Sequence, residues 1–362
     1  MCELRIVKHA LHHNIRLVQR LAGDARVIGV VKGNGYGLGL GELASHLVEY
    51  GVRHLAVSEL EEALTLRRLG ISAEIMLLSP LCDGGELEEA LRAGVILCVD
   101  SREGAEAAER AARRLDCTGK AQLCVDTGFG RYGFSWQQPQ QIWEAARTLE
   151  RLRVVGTYSH LRRGADPEGG ETRRQEQRLT QVCDALAASG VEPGMRHLVE
   201  SYGLLCCPES RLDGVRIGSA FLGRLPFRDL WGFESIGALC ARVREVRTLE
   251  AGSTVGYGSG FVTRRPTRIA VVGAGYAHGF GLERSAAPGG RGGAVASALR
   301  RLRERREPLC ARAGQRRLPV LGRVGMCDTV LDATGTQVQP GEVVELPVNP
   351  IFVNASVPRV YL

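Results

Sequence analysis

The stretch VIGVVKGNGYG at residues 27–37 decides how this chain is read. Val27 to Val31 is a short apolar run of the kind that forms a buried strand, and it runs into a lysine and a glycine-rich turn. A helical pattern follows, with Leu43, Leu47 and Tyr50 recurring on one face. The same alternation then repeats. Strand-like runs stand at 54–58 (HLAVS), 74–79 (EIMLLS), 95–100 (VILCVD) and 120–126 (KAQLCVD). Three more follow at 153–160 (RVVGTYSH), 195–201 (MRHLVES) and 214–220 (GVRIGSA). Helix formers separate most of them, as at Glu59 to Leu69, Arg102 to Leu115 and Glu171 to Ala188.

Apolar runs that alternate with helices predict an α/β fold with a parallel sheet, because parallel strands need a crossover element. Eight such units within residues 1–228 match a TIM (β/α)8 barrel. The alternative, an open doubly wound sheet, calls for a glycine fingerprint after the first strand that this chain lacks. From residue 229 to 362 the texture changes to short β-rich runs punctuated by glycine and proline: STVGYGSGFVT, RIAVVGAGYA, LPVLGRVG, VVELPV and VPRVYL. These predict a second, mainly antiparallel β domain. Between two of its strands, Pro288 to Gly293 leads into a basic helical pattern, so a helical insertion is expected at about 287–308. The plain reading of that insertion is a solvated helix.

Two domains are also what 362 residues suggest, since one core seldom grows so large. No apolar run reaches membrane-spanning length and the N-terminus carries no signal-peptide core, so no membrane role is expected. The eleven cysteines are scattered, without CxxC pairs or zinc spacing, which predicts reduced thiols in a cytoplasmic protein and no metal site. His9, His12 and His13 read as surface or interface positions on an N-terminal helix rather than as metal ligands. The net charge of +7 is concentrated in the segment from Arg300 to Arg317 and does not call for nucleic acid.

In such a barrel the C-terminal strand ends carry the reacting groups. Lys32, Arg131, His160, Ser201 and Arg216 all fall at or just after strand ends. A lone lysine there is ordinarily a surface charge. Buried, it acquires a lowered pKa, which frees its amine to condense with a carbonyl.

These residues carry a resemblance. VVKGNGYG at 30–37, VDTGFGRYGF at 125–134, YSH at 158–160, RHLVES at 196–201 and GVRIG at 214–218 resemble motifs of the alanine racemases. TVGYGSGF at 254–261, GAGYAHGF at 273–280, GRVGMCD at 322–328 and VPR at 357–359 resemble the rest, in the family's order and across nearly the whole chain. The resemblance implies a racemase that uses pyridoxal 5'-phosphate (PLP), held covalently by Lys32. It also implies two bases, Lys32 on one face of the substrate Cα and Tyr257 on the other. His160, His197 and Arg216 would be the supporting relay, with Arg216 also meeting the cofactor's ring nitrogen. Tyr36, Ser201 and the backbone of Gly218 and Ser219 would cradle the phosphate. Arg131 would position the cofactor's phenolic oxygen, Met326 the substrate carboxylate, and Tyr276 would stand near the entrance. The family further implies a head-to-tail homodimer, an amino-acid substrate and a link to cell-wall precursors.

The chain departs from the family pattern in several places. Cys124 stands where a lysine, often carbamylated, steadies the arginine. Glu200 replaces an asparagine near the phosphate. Met326-Cys327-Asp328 displaces a carboxylate by one position, and Ala355 lies where a gating tyrosine is expected. His278 replaces an aspartate. The principal expectation is interconversion of L- and D-alanine. The alternatives are a racemase of a larger or polar amino acid such as serine, admitted by the altered gate, and a catalytically degenerate PLP-binding protein. A barrel-only PLP carrier would lack residues 229–362, and a decarboxylase of this barrel type would carry an HxGS-like loop and a catalytic cysteine motif, neither of which is present.

Overall fold

A computed structural model describes residues 2–164, 169–225, 229–282 and 309–362. The expected basic insertion at 287–308 lies outside these residues. Two compact units are distinguished: His9–Ser235, and a second that joins Met1–Lys8 to Ile236–Leu362.

The first strand, β1 (Cys2–Ile6), belongs to the second unit. The barrel strands of the first unit are β2 (Arg26–Val30), β3 (His54–Val57), β4 (Glu74–Leu77), β5 (Leu97–Val99) and β6 (Gly119–Asp126). The short β7 (Phe134–Ser135) pairs on β6, and β8 (Leu152–Tyr158), β9 (Met195–Glu200) and β10 (Gly214–Ile217) complete the set. Barrel neighbours run parallel in the order β4-β3-β2-β10-β9-β8-β6-β5. A bridge between Met76 and Ile96 links the two ends and closes the ring. The closure follows from composition. Strands such as HLAV, EIML and LCV are buried almost throughout, as strands covered on both faces must be. Gly29 lets the following helix, Leu40–Glu49, pack close, since a Cβ there would lie 2.7 Å from Leu47 Cδ1. Ser101 and Asp83 accept hydrogen bonds from the first turns of the helices Arg102–Arg114 and Gly84–Arg92, which satisfies donors the helices leave open.

The second unit is built on β11 (Gly237–Leu249), thirteen residues long. Its first part pairs antiparallel with β1 and with β18 (Val343–Leu346), and its second part with β14 (Thr267–Val272). A register shift between Val243 and Glu245 marks the change of partner. The hairpin β12 (Thr254–Val255) and β13 (Phe261–Val262) stands apart, while β15 (Cys310–Ala313), β16 (Arg316–Pro319), β17 (Thr329–Asp332) and β19 (Arg359–Tyr361) extend the sheet. Apart from the parallel pair β1 and β19, the pairing is antiparallel, as the short glycine-punctuated runs predict. No helix among the described residues is long and apolar enough to cross a membrane.

Candidate active site

Lys32 follows β2 directly, and the four residues after it form a left-handed turn. Gly33, Asn34, Gly35 and Tyr36 have φ of 64°, 56°, 63° and 52°. This conformation explains the motif, because glycine adopts it freely and asparagine tolerates it, whereas Tyr36 is held there at a cost. Glu62 ties the turn down. One carboxylate oxygen accepts from Gly33 N at 2.6 Å and the other from Ser58 N at 3.3 Å. Asn34 Oδ1 accepts from Leu40 N at 3.1 Å, which joins the turn to the next helix. Burial, followed by the cations Arg131 and Arg216, lowers the Lys32 pKa. Its amine is thereby biased toward the unprotonated, nucleophilic form.

Arg216, on β10, is the buried hub. It donates through Nη1 to His197 Nδ1 at 2.5 Å and to His197 O at 3.1 Å. Through Nη2 it donates to Ser159 O at 2.5 Å and Leu198 O at 3.1 Å, with His160 Nδ1 3.5 Å away. Arginine only donates, so His197 Nδ1 is an acceptor and its proton sits on Nε2. That nitrogen then donates to Gln122 Oε1 at 2.8 Å. The geometry thus fixes the His197 tautomer, and burial beside Arg216 keeps the ring neutral by lowering its pKa well below the usual value. Tyr158 stacks on His197, with rings parallel and 5.1 Å apart, and sits under the Arg216 guanidinium. His160 is pushed down to about 3, first by burial and then by Arg216, Arg131 and Lys32. Among the described residues these bonds use only Nη1 and Nη2, so Arg216 Nε is left for another acceptor.

Ser201 Oγ accepts from Gly218 N and Ala220 N, each at 3.2 Å, so its own proton is left to donate outward. Gly218 is bare for a reason: a Cβ there would meet the Tyr36 ring at 2.5 Å and its hydroxyl at 2.7 Å. The Tyr36 phenol, the Ser201 hydroxyl and the start of the short helix Ser219–Leu222 therefore converge. Hydroxyl and backbone donors gathered in this way suit a phosphate dianion. A neutral-biased amine, a buried cation with a spare donor and a phosphate cradle together fit PLP.

Arg131 stands on the loop after β6, its guanidinium 4.8 Å from the Phe129 ring centre and 4.7 Å from that of Tyr132. The expected anion at 124 is absent, and two aromatic faces hold the cation instead. Cys124 donates to Tyr132 O at 3.8 Å, below that loop. Glu200 caps the helix that begins at Ser201. Its carboxylate accepts from Tyr202 N at 2.9 Å and Gly203 N at 3.1 Å, and burial raises its pKa.

In the second unit, Tyr257 lies in a turn with its side chain 75% exposed. Tyr276 and Met326 adjoin each other: Tyr276 N donates to Gly325 O at 3.0 Å and Ala277 N to Met326 O at 3.0 Å. His278 Nδ1 accepts from Gly275 N at 3.2 Å, supplying the acceptor an aspartate would give. The structure thus groups Lys32, Tyr36, His160, His197, Ser201, Arg216, Gly218 and Ser219 in the barrel, while Tyr257, Tyr276 and Met326 belong to the other unit. Sequence reading missed Gln122, Tyr158, Phe129 and Tyr132. Gln122 lies on β6 two positions along from Cys124 and shares its face, and Tyr158 ends β8 two residues before His160.

The family described as "Alanine racemase, N-terminal domain" matches residues 6–226, and "Alanine racemase, C-terminal domain" matches 236–351. An alanine racemase from Symbiobacterium thermophilum is 37% identical over 278 residues, 75% of this chain and 73% of the relative. The crystal structure of alanine racemase from D-cycloserine-producing Streptomyces lavendulae superimposes with a TM-score of 0.86 at 27% identity, over 100% of this chain and 97% of the other. The alanine racemase from Bartonella henselae with covalently bound pyridoxal phosphate shares the fold, with a TM-score of 0.82 at 23% identity over 100% of this chain and 99% of that one.

Proposed function

The chain belongs to the alanine racemase family, and on that premise we propose that it is a PLP-dependent isomerase interconverting L- and D-alanine by two opposed bases, Lys32 and Tyr257. The observation that carries the assignment is the Arg216 hub, which leaves Nε open beside a lysine of lowered pKa.

PLP, when bound, supplies an electron sink that acidifies the substrate Cα–H. Lys32 would hold it covalently. Tyr36, Ser201, Gly218 and Ser219 would hold its phosphate, and Arg131 its phenolic oxygen. Arg216 Nε would meet the ring nitrogen as a donor that scarcely gives up its proton, and would so restrain side reactions. The Met326 N–H orients the substrate carboxylate, and Tyr276 lines the entrance.

Lys32 Nζ moves a proton on one face of Cα and the Tyr257 hydroxyl on the other. A single base tends to return the proton to the face it left, so inversion needs both. His160 and Arg216 are the groups that would support the Tyr257 hydroxyl in giving and taking this proton. Tyr257 of the partner subunit serves this site in a head-to-tail homodimer, in keeping with its exposure in its own unit. The eleven free thiols fit a reducing cytoplasm, and D-alanine for cell-wall precursors is the role in keeping with the family.

The test is racemisation followed by chiral chromatography across a panel of L-amino acids, with Lys32→Ala and Tyr257→Phe alongside. The expected result is D-alanine as the fastest product, with loss of turnover in both variants. Preference for a larger or polar amino acid would overturn the alanine assignment, and full activity in Tyr257→Phe would overturn the two-base reading.

A further inference from the structure

Two helices flank β2 and the Lys32 turn in sequence: Lys8–Ala22 before it and Leu40–Glu49 after it. On the second, His46 and Glu49 are three residues apart and share a face. His12 of the first helix meets them. His12 Nε2 lies 3.1 Å from His46 Nδ1, and His46 Nδ1 lies 3.5 Å from Glu49 Oε2. All three ligand atoms fall within 4.8 Å of one another.

We propose that His12, His46 and Glu49 form a binding site for a borderline divalent cation of the zinc type, which ties together the two helices that bracket the Lys32 strand. The spacing is the first argument. In a tetrahedral zinc site with metal–ligand distances of about 2.0–2.1 Å, neighbouring ligand atoms stand about 3.3–3.4 Å apart. The edges of 3.1 and 3.5 Å bracket that value. Closing the third edge would take a rotation of Glu49, whose side chain is 66% exposed, against 18% for that of His46.

The hydrogen bonding is the second argument. His46 Nδ1 faces both an imidazole nitrogen and a carboxylate oxygen, and a proton on it can serve only one of them. A cation engages all three lone pairs at once. The donor set of two imidazoles and one carboxylate is suited to zinc, nickel or copper and leaves a fourth position for water.

Preorganisation is the third. The His12 ring packs on Tyr50, with centroids 4.6 Å apart, and edge-on to His46 at 4.9 Å. Tyr50 is itself fixed: Gln19 Nε2 donates to its carbonyl at 2.7 Å and Arg16 Nη2 to its hydroxyl at 3.2 Å. The Arg16 cation sits over the Tyr50 ring at 5.0 Å, so an aromatic face rather than the Glu49 carboxylate engages it. Sequence reading found no metal spacing because the ligands come from two helices, thirty-four residues apart.

The test titrates chelator-treated holoenzyme with zinc by calorimetry, and with cobalt by its visible spectrum. Parent protein is compared with His12→Ala, His46→Ala, the shape-conserving His46→Asn, and Glu49→Gln. The expected result is one equivalent of zinc, a tetrahedral cobalt spectrum without thiolate charge-transfer, and a zinc-dependent rise in Tm that the histidine variants lose. The histidine variants should bind more than about a hundredfold more weakly, beyond the cost of losing an outer-shell partner, and circular dichroism checks their fold. His46→Asn keeps the proposal testable if an alanine variant does not fold. Zinc binding unchanged in folded His12→Ala and His46→Asn, a cobalt spectrum with thiolate bands, or no stoichiometric binding would overturn the proposal.

Discussion

Adding a single methyl group at Gly218 tests the proposed phosphate cradle. An alanine Cβ at this position would lie 2.5 Å from Tyr36 Cε2 and Cζ and 2.7 Å from its hydroxyl. Carbon atoms pack at about 3.5–4.0 Å, so the phenol has to withdraw by about 1 Å or more. Its backbone gives little, because Tyr36 already sits at φ 52° in a left-handed turn whose preceding residues are tied to Glu62 and Leu40. A hydrogen bond of about 2.7 Å stretched by that amount passes beyond the useful range. Hydrogen bonds to a charged group are worth about 1.5–3 kcal/mol, and losing one corresponds to roughly 10- to 150-fold weaker binding.

The assay is titration of PLP into cofactor-free protein, followed by absorbance, for the parent, Gly218→Ala, Tyr36→Phe and the double variant. Tyr36→Phe removes the same hydroxyl without crowding, so the two losses should be far from additive. If Gly218→Ala held PLP within about twofold of the parent, a difference of only about 0.4 kcal/mol, the Tyr36 hydroxyl would not be part of the cradle.

His160 should make the cofactor-free protein acid-sensitive. Its folded pKa of about 3 lies below that of an unfolded histidine, so its contribution is complete above about 6.5 and is lost as pH falls toward 3, at up to about 1.4 kcal/mol per unit. Denaturant unfolding of the parent and His160→Asn at pH 7 and 5 should show the parent losing up to about 2 kcal/mol more, and parallel losses would refute the shift. Glu200 has the opposite sign. Its raised folded pKa means that ionisation opposes folding, so its contribution is present at acid pH and lost as pH rises. Glu200→Gln keeps one of the two oxygen acceptors that Tyr202 N and Gly203 N use, and should unfold at a higher temperature than the parent at pH 8, with the gain vanishing below pH 4. A lower Tm at pH 8 would show that the charge itself supports the cap.

The barrel was legible because its strands are short apolar runs at regular intervals, and a parallel strand buried on both faces has no other signature. Their polar ends were legible for the same reason, since Lys32, His160, Ser201 and Arg216 interrupt the apolar pattern where each run stops. What periodicity does not encode is the side-chain partner. Gln122 reads in sequence as an ordinary polar residue inside a strand, and only the register of β6 against β8 and of β8 against β9 brings it to His197. β1 was hidden differently. Five residues ahead of a helix carry little pattern, and its antiparallel pairing with β11 spans more than two hundred residues.

The departures from the family pattern show how a site tolerates replaced residues. Each lost group had supplied one physical element, and in three cases the structure supplies that element from elsewhere. The aspartate at 278 would have given an acceptor for a turn N–H, and the His278 ring nitrogen gives it. The asparagine at 200 would have placed a neutral group near the phosphate. Glu200 engages its carboxylate with two helix N–H groups instead. At 124 a carbamate would have neutralised Arg131. Here the Phe129 and Tyr132 ring centres lie 4.8 and 4.7 Å from the guanidinium, and attraction to ring faces constrains its position without adding negative charge. This last exchange is not equivalent. A carboxylate fixes a guanidinium by two directional bonds, whereas rings fix the plane and leave rotation within it free. The Arg131 cation in turn helps lower the pKa of Lys32.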